Sequence, residues 1–200
     1  AEELGEKDLS VPDARQSAEK ANVQVQRAAD VVRRLRDLIQ TGRIVQSAAE
    51  VSELLKVALD VVRPELQRAG VAIERQVEAD LPPVHVDALQ IEQVIINLVR
   101  NAYEAIERAG RRPGLIRVEA LRSPDGELEI IVADNGPGFD TEQIANQFVP
   151  FHTTKRGGLG IGLNLCRSIV EAHGGRIWLA NGNEGAEVHF TLHDLNLLTR

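Results

Sequence analysis

The strictest pattern in this 200-residue chain is a heptad repeat in its first forty residues. Small or aliphatic residues recur at alternating intervals of four and three, at Ala14, Ala18, Ala21, Val25, Ala28, Val32, Leu35 and Ile39. A narrow seam with a 3.5-residue period is typical of a helix that packs against other helices in a coiled coil or a bundle. Residues 1–42 are therefore predicted to form a dimerising helix, and the alternative is a helix packed on its own domain.

Composition excludes several classes of protein. The chain carries 23 Lys and Arg against 30 Asp and Glu, a formal net charge of −7, which argues against binding nucleic acid through phosphate contacts. Its single cysteine, Cys166, cannot form an internal disulfide. No apolar run approaches the ~20 residues of a membrane helix. The sequence contains no methionine, and we expect it to be the C-terminal part of a longer protein.

From residue 43 onward, strand patterns alternate with helical patterns. Helices are predicted over residues 51–69, 88–108 and 163–172, and strands over residues 43–46, 71–77, 84–86, 115–121, 128–133, 176–179 and 186–192. Residues 134–162 are rich in loop-forming residues. This order predicts an α+β domain over residues 43–193, with helices on one face of a mixed sheet, and a tail at residues 194–200.

The second predicted helix carries two asparagines beside its apolar face. Asn97 and Asn101 are four residues apart and border the apolar line of Ile91, Ile95, Leu98, Ala102 and Ile106. Asparagine is a poor residue for a helix interior, and two amides beside a buried face cost stability unless both find partners. One interpretation is hydrogen bonding between helices. The other is a pair of amide oxygens that binds a hard cation such as Mg²⁺, together with waters and substrate phosphates.

Two further segments combine glycines with charged residues. Asp134-Asn-Gly-Pro-Gly-Phe139 follows a predicted strand. A carboxylate there can accept from an exocyclic amine such as adenine N6 and would reject guanine, although the same residues are typical of an ordinary turn. Lys155-Arg-Gly-Gly-Leu-Gly-Ile-Gly-Leu163 places two cations and four glycines before a helix, where backbone N–H groups bind anions. This spacing fits neither a Walker P-loop nor a Rossmann motif.

Four segments follow one another in an order that is specific to one family. They are Asn97-Leu-Val-Arg-Asn101-Ala, Asp134-Asn-Gly-Pro-Gly138, Phe148-Val-Pro-Phe-His-Thr-Thr-Lys155 and Gly158-Leu-Gly-Ile-Gly162. They resemble the four nucleotide-binding motifs of bacterial sensor histidine kinases, and the resemblance covers residues 44–192. The heptad helix, which ends Val31-Val-Arg-Arg-Leu-Arg-Asp-Leu38, is similar to the second helix of the kinase dimerisation hairpin. Through Thr153-Thr-Lys155 and Arg167-Ser-Ile-Val-Glu-Ala-His-Gly-Gly175, the chain resembles the nitrogen- and oxygen-sensing subgroup most.

The resemblance implies the ATP-binding α/β sandwich that these kinases share with gyrase-type ATPases, and it implies roles for the matching residues. Asn101 would be the main Mg²⁺ ligand with help from Asn97, and Asp134 would bind adenine N6. Other residues would shape the adenine pocket, form a mobile lid or meet the phosphates, namely Gly136, Gly138, Phe139, Thr154, Lys155, Arg156, Gly158, Leu159, Gly160 and Gly162. Lys155 would join the two asparagines in catalysis. Thr191, in the last strand, would reach the adenine side through water.

Position 97 separates members of this superfamily from one another. The relatives that hydrolyse ATP carry a glutamate one turn before the metal-binding asparagine, whereas this chain has Asn97. An amide cannot act as a general base at neutral pH, which favours phosphoryl transfer to a separate acceptor over hydrolysis. Three rival classes stay open at this point: a gyrase-type ATPase, an anti-sigma-factor-like serine kinase and a non-enzymatic nucleotide-sensing dimerisation module.

The chain departs from the kinases at the phosphoacceptor. The family's acceptor histidine would lie on a helix before the heptad helix, but the first histidine of this chain is His85. We therefore expect the chain to bind ATP and Mg²⁺ without phosphorylating itself. The resemblance also implies a homodimer through the N-terminal helix of the intact kinase, the receiver domain of a response regulator as partner, and a cytoplasmic location even where the parent protein is membrane-anchored.

Overall fold

Helices alternate with strands along residues 45–123, 126–145 and 162–193, the ranges that this computed structural model describes. In chain order the elements are β1 (Ser47–Ala49), α1 (Val51–Ala69), β2 (Val71–Val77), β3 (Val84–Val86), α2 (Ala88–Ala109), β4 (Gly114–Arg122), β5 (Leu128–Asp134), α3 (Thr141–Ala145), α4 (Gly162–Ala172), β6 (Ile177–Asn181) and β7 (Ala186–Leu192). All of them belong to one unit, Ile44–Arg200.

The two long helices begin and end at residues that the sequence marks. Asp87 caps α2, since its Oδ1 accepts from the backbone N–H of Gln90 at 3.3 Å. The helices α1 and α2 end at Gly70 and Gly110, whose backbones are left-handed and whose N–H groups bond back to the last turn. Gly70 alone separates α1 from β2, whereas residues 110–113 connect α2 to β4.

The main sheet is mixed and has five strands in the order β2-β4-β5-β7-β6. β2 runs parallel to β4, with Val71 opposite Gly114, and the other neighbours are antiparallel. The predicted mixed sheet is confirmed. A second sheet, in which β1 pairs antiparallel with β3 and Ser47 lies opposite Val86, was not predicted.

The hydrophobic core lies between one face of the main sheet and the helices. Buried side chains recur along one side of α1, α2 and α4 and at alternate positions of β4 and β5, where Ile116, Val118, Ile130 and Val132 are at most 2% exposed. The alternate residues of these strands, such as Arg117 and Glu129, lie on the opposite, partly exposed face. This is a two-layer α/β sandwich, and the predicted fold class is confirmed.

One local prediction was wrong where it can be compared, and one short helix was not predicted. Of the strand predicted over residues 43–46, the described residues 45 and 46 are not in a strand, and β1 lies at Ser47–Ala49 because pairing with β3 selects it, while the apolar Val45 is 69% exposed. The stretch after Asp134 also contains a short helix, α3. Asp140 and Gln143 cap this helix reciprocally, since each backbone N–H donates to the other's side chain, at 2.9 and 2.7 Å.

The predicted dimerisation helix at residues 1–42, most of the loop-rich stretch and the tail at residues 194–200 lie outside the described residues. Their secondary structure remains a prediction from the sequence.

Candidate functional site

Three elements carry the predicted motifs that the structure describes: the middle of α2, the end of β5 and the start of α4, and α2 contacts both of the others. Two contacts determine the relative direction of α2 and α4. His173, after the end of α4, accepts from the backbone N–H of Asp87 at the start of α2 at 3.0 Å. Further along, the buried Cys166 of α4 is hydrogen-bonded to Asn97 of α2. The two helices are therefore antiparallel, and the start of α4 at Gly162 lies toward the part of α2 that follows Asn97.

Asp134 is the last residue of β5 and is only 9% exposed. Its Oδ1 accepts from the backbone N–H of Gly136 at 2.7 Å, and the backbone N–H of Ala186 also donates to the carboxyl group. Burial raises the pKa of Asp134 above its ordinary 3.8, and the two backbone hydrogen bonds act in the opposite direction because they favour the charged form. The result is a fixed acceptor at the edge of the core.

The loop after Asp134 lies directly on α2. A Cβ atom on Gly136 would stand 2.6 Å from Oδ1 of Asp134 and 3.6 Å from the Cβ of Ala105, so only glycine fits between the carboxyl group and the helix. Ala105 is one turn after Asn101 and two turns after Asn97. The acceptor of β5 and the asparagine pair therefore share one surface, which extends about 12 Å along α2.

The side chain of Asn97 is held by hydrogen bonds at two places. Its Oδ1 accepts from Nε2 of Gln93 at 3.2 Å, and Cys166 approaches from α4. Asn101 is half-buried and has interactions of its own. Amide oxygens of this kind are hard ligands that suit Mg²⁺, which also retains waters and substrate oxygens. The two asparagines on one side of α2 fit such an ion.

The beginning of α4 supplies a different kind of group. In an eleven-residue helix the first backbone N–H groups have no partner within the helix and carry the positive end of its dipole. Groups of this kind bind anions such as phosphate. The predicted phosphate-binding residues Thr154, Lys155, Arg156, Gly158, Leu159 and Gly160 lie outside the described residues, and Gly162 is the first residue of α4.

The turn between β6 and β7 contacts the loop from Asp134 to Phe139 at two points, through Gly185 and Asn181, which sequence reasoning missed. A Cβ atom on Gly185 would collide with the backbone oxygen of Asp134. The side chain of Asn181 pairs with the backbone of Phe139, donating from Nδ2 at 2.8 Å and accepting at Oδ1 at 2.7 Å. The segment Asn181-Gly-Asn-Glu-Gly185 has a composition typical of turns, and nothing in it indicates the loop that it contacts.

One predicted residue lies apart from the others. Thr191 pairs with Glu129 near the start of β5, whereas Asp134 ends that strand. Its Oγ1 accepts from the backbone N–H of Arg176 at 3.1 Å, and the residue is 1% exposed. The structure therefore brings Asn97, Asn101, Asp134, Gly136, Gly138, Phe139 and Gly162 toward one region, and Thr191 occupies the other end of β7.

No helix in the described ranges is both long and apolar enough to cross a membrane. In the same part of the chain, no three histidine, cysteine, aspartate or glutamate residues are grouped so as to hold a metal ion.

Comparison with known proteins gives a family match. Residues 86–196 match the family model described as histidine kinase-, DNA gyrase B- and HSP90-like ATPase. The chain is 35% identical to the sensor protein FixL of Bradyrhizobium diazoefficiens over 189 residues, which cover 94% of this chain and 37% of FixL. The chain thus spans little more than a third of that relative.

Solved structures agree with this match. The catalytic domain of the histidine kinase ThkA is similar with a TM-score of 0.66 and 29% sequence identity, over 74% of this chain and 95% of that chain. The histidine kinase ThkA in complex with the response regulator protein TrrA gives a TM-score of 0.72 over 94% of this chain and 52% of that chain. Because the sequence identity is only 23%, this second similarity supports the fold alone.

Proposed function

Because this chain belongs to the family of histidine kinase-, DNA gyrase B- and HSP90-like ATPases, we propose that it is the ATP-binding catalytic part of a sensor histidine kinase. In this proposal it transfers the γ-phosphoryl group of ATP to a histidine on a helix that this chain lacks. The observation that supports the proposal most is that Gly136 packs between Asp134 and α2. This packing places the Asp134 carboxyl group, which can accept a hydrogen bond from an amine, beside the helix that carries the asparagine pair.

Each group of the nucleotide has a partner of suitable chemistry. Asp134 would accept from adenine N6, with Gly136, Gly138 and Phe139 beside the base. Asn101, with Asn97, would hold Mg²⁺, which when bound neutralises charge on the phosphates. The start of α4 at Gly162 would donate to the phosphate oxygens. Residues outside the described ranges complete the phosphate contacts in this proposal, namely Thr154, Lys155, Arg156, Gly158, Leu159 and Gly160.

Transfer rather than hydrolysis follows from the chemistry of position 97. In the proposed step a ring nitrogen of the acceptor histidine forms a bond to the γ-phosphorus, and the bond from that phosphorus to the bridging oxygen of ADP breaks. ADP leaves with the electron pair, and the ring proton passes to solvent. Asn97 has no basic group with which to activate water, and positioning with charge neutralisation suffices for transfer.

Two of the described histidines, His173 and His189, have partners at both ring nitrogens, which supports an acceptor in another molecule or segment. Nε2 of His173 accepts from the backbone of Asp87, and its Nδ1 lies 2.8 Å from the backbone oxygen of Ile169. Both ring nitrogens are therefore occupied. Both ring nitrogens of His189 likewise face carboxylates, of Glu129 and Glu187, at 2.7 and 3.2 Å. In the proposal, phosphate passes to a response regulator from a cytoplasmic homodimer of the intact kinase.

Calorimetric titration of ATP, with and without Mg²⁺, tests the binding half of the proposal. The chain should bind ATP more tightly with Mg²⁺ present, Asp134→Ala should abolish binding, and Asn101→Ala should remove most of the Mg²⁺ effect. Asn183→Ala, which changes an exposed asparagine in the β6–β7 turn, serves as the control for folding.

Turnover separates the proposal from a gyrase-type ATPase. The chain alone should release no inorganic phosphate above the uncatalysed rate and should acquire no acid-labile phosphate. Steady hydrolysis that Asn97→Ala abolishes would favour the ATPase, and binding of Mg²⁺-ATP with no transfer to any acceptor would favour a nucleotide-sensing module.

A further inference from the structure

We propose that Asn181 is a positioning residue of the nucleotide site, which acts by holding the loop from Asp134 to Phe139 in its binding conformation. This inference rests on the proposed function, because it assigns a role within the same site. Asn181 lies in none of the four motifs. It ends β6, at the edge of the main sheet, and is 42 residues from Phe139 in sequence.

The contact is a two-point pairing between a side-chain amide and one residue of backbone. Oδ1 of Asn181 accepts from the N–H of Phe139 at 2.7 Å, and Nδ2 donates to the C=O of Phe139 at 2.8 Å. A planar amide with one donor and one acceptor satisfies both backbone groups of a single residue. Aspartate would keep the acceptor and lose the donor, and alanine would lose both.

The neighbouring residue shows how closely the loop approaches Asn181. Gly138 has a φ of +77°, and a Cβ atom on it would lie 2.9 Å from Oδ1 of Asn181. The left-handed backbone at Gly138 turns the chain so that Phe139 presents its N–H and C=O to the amide. The loop is therefore fixed at its start by the bonds to the Asp134 carboxyl group and at its end by Asn181.

The β6–β7 turn makes both attachments. Ala186, just after the turn, donates to the Asp134 carboxyl group, and Asn181, just before it, binds Phe139. Gly136 and Gly138, which would lie beside the base, are between these two points. Because Asn181 is exposed, water replaces its bonds at modest cost to the fold. Loss of the pairing should therefore change the loop more than the stability of the domain.

The experiment measures ATP affinity and loop order in the same proteins. The 200-residue chain, Asn181→Ala, Asn181→Asp and Asn183→Ala are titrated with Mg²⁺-ATP by calorimetry. Asn183 is the matched control, an exposed asparagine in the same turn. We expect the dissociation constant to rise roughly tenfold in Asn181→Ala, to rise by less in Asn181→Asp, which keeps the acceptor, and to stay within about twofold in Asn183→Ala. The fitted stoichiometry reports the folded fraction separately and should stay constant.

Amide hydrogen exchange distinguishes a local change in the loop from a general loss of stability. The N–H of Phe139 should exchange faster in Asn181→Ala, whereas Asn181→Asp, which keeps the acceptor, should retain its protection. Unchanged affinity in both Asn181 variants would overturn the inference, as would an affinity loss explained entirely by reduced stoichiometry. If one variant does not fold, the other decides. Absence of ATP binding by the unmodified chain would instead overturn the proposed function.

Discussion

Asp134 is the residue in which burial and chemistry are most closely connected. Its carboxyl group lies in the core, where charge is costly, yet two backbone N–H groups compensate in part. An acceptor of this kind is rigid and free of competing water, which is what recognition of one exocyclic amine requires. Its raised pKa also makes the stability of the domain depend on pH.

The sign of that dependence is fixed by the direction of the shift. Between the ordinary pKa of 3.8 and the higher folded value, the folded chain holds a proton that the unfolded chain has lost. The contribution of Asp134 is therefore most favourable below that interval and is lost as the pH rises through it. In Asp134→Asn, the amide side chain at this position does not titrate. Urea unfolding from pH 3 to 7 should show the wild-type free energy of unfolding falling relative to that of Asp134→Asn. A constant or rising difference would contradict this.

Cys166 gives a second prediction, because it is the only cysteine. It is fully buried, and burial raises the pKa of its thiol to about 12, so the reactive thiolate is nearly absent at pH 8. The native chain should resist a disulfide reagent that modifies it fully in urea.

The control for this labelling experiment moves the thiol to an exposed position of the same helix. Ser168→Cys in a Cys166→Ala background should react at once without urea, because Ser168 is exposed on α4. Rapid labelling of native wild-type chain would show that Cys166 does not pack against Asn97.

At the scale of single residues, the sequence identifies candidate site residues where the residue type is unusual for its position in a helix or strand. Two asparagines inside a helix and an aspartate at a strand end before two glycines are costly without a purpose, so they stand out. Asn181 and Gly185 are ordinary turn residues, and only the fold shows that their turn contacts Asp134 and Phe139. Thr191 belongs to the correct strand, but its position along that strand depends on register.

Among the elements, α2 is central because it carries the asparagine pair and contacts both α4 and the sheet. Its start is stabilised by the Asp87 cap and by the link from the Asp87 N–H to His173. Helices and strands with a clear period were predicted almost to the residue. The exceptions are β1 and α3. The position of β1 is determined by its pairing with β3, and α3 begins at a reciprocal cap between Asp140 and Gln143 whose three-residue spacing was not recognised in the sequence.

The cap predicts a measurable loss of stability. Asp87→Ala removes the side-chain acceptor of the Gln90 N–H and should lower the free energy of unfolding by about 1 kcal/mol. Asp87→Ser keeps a capping oxygen and should recover most of the loss. The single tryptophan, Trp178 in β6, reports unfolding of this domain by fluorescence. Equal stability of wild type and Asp87→Ala would show that the cap contributes nothing.

For the whole molecule, the α+β sandwich follows from alternating patterns and short connections, which leave few ways to cover one face of a sheet. The small β1–β3 sheet was not predicted, because three-residue strands carry too little periodicity. In our proposal the described domain supplies the base-binding and metal-binding residues of a nucleotide site. The acceptor of the phosphoryl group is the component that our proposal places elsewhere.

Phosphoryl transfer in trans tests the central claim most directly. The chain is incubated with Mg²⁺ and ATP labelled at the γ-phosphate, together with a kinase fragment that carries the acceptor helix and has no working ATP site. We predict acid-labile, alkali-stable label on the fragment, none on this chain, and loss of all label with Asn101→Ala. Label on this chain, or none on the fragment although ATP is bound, would contradict the account.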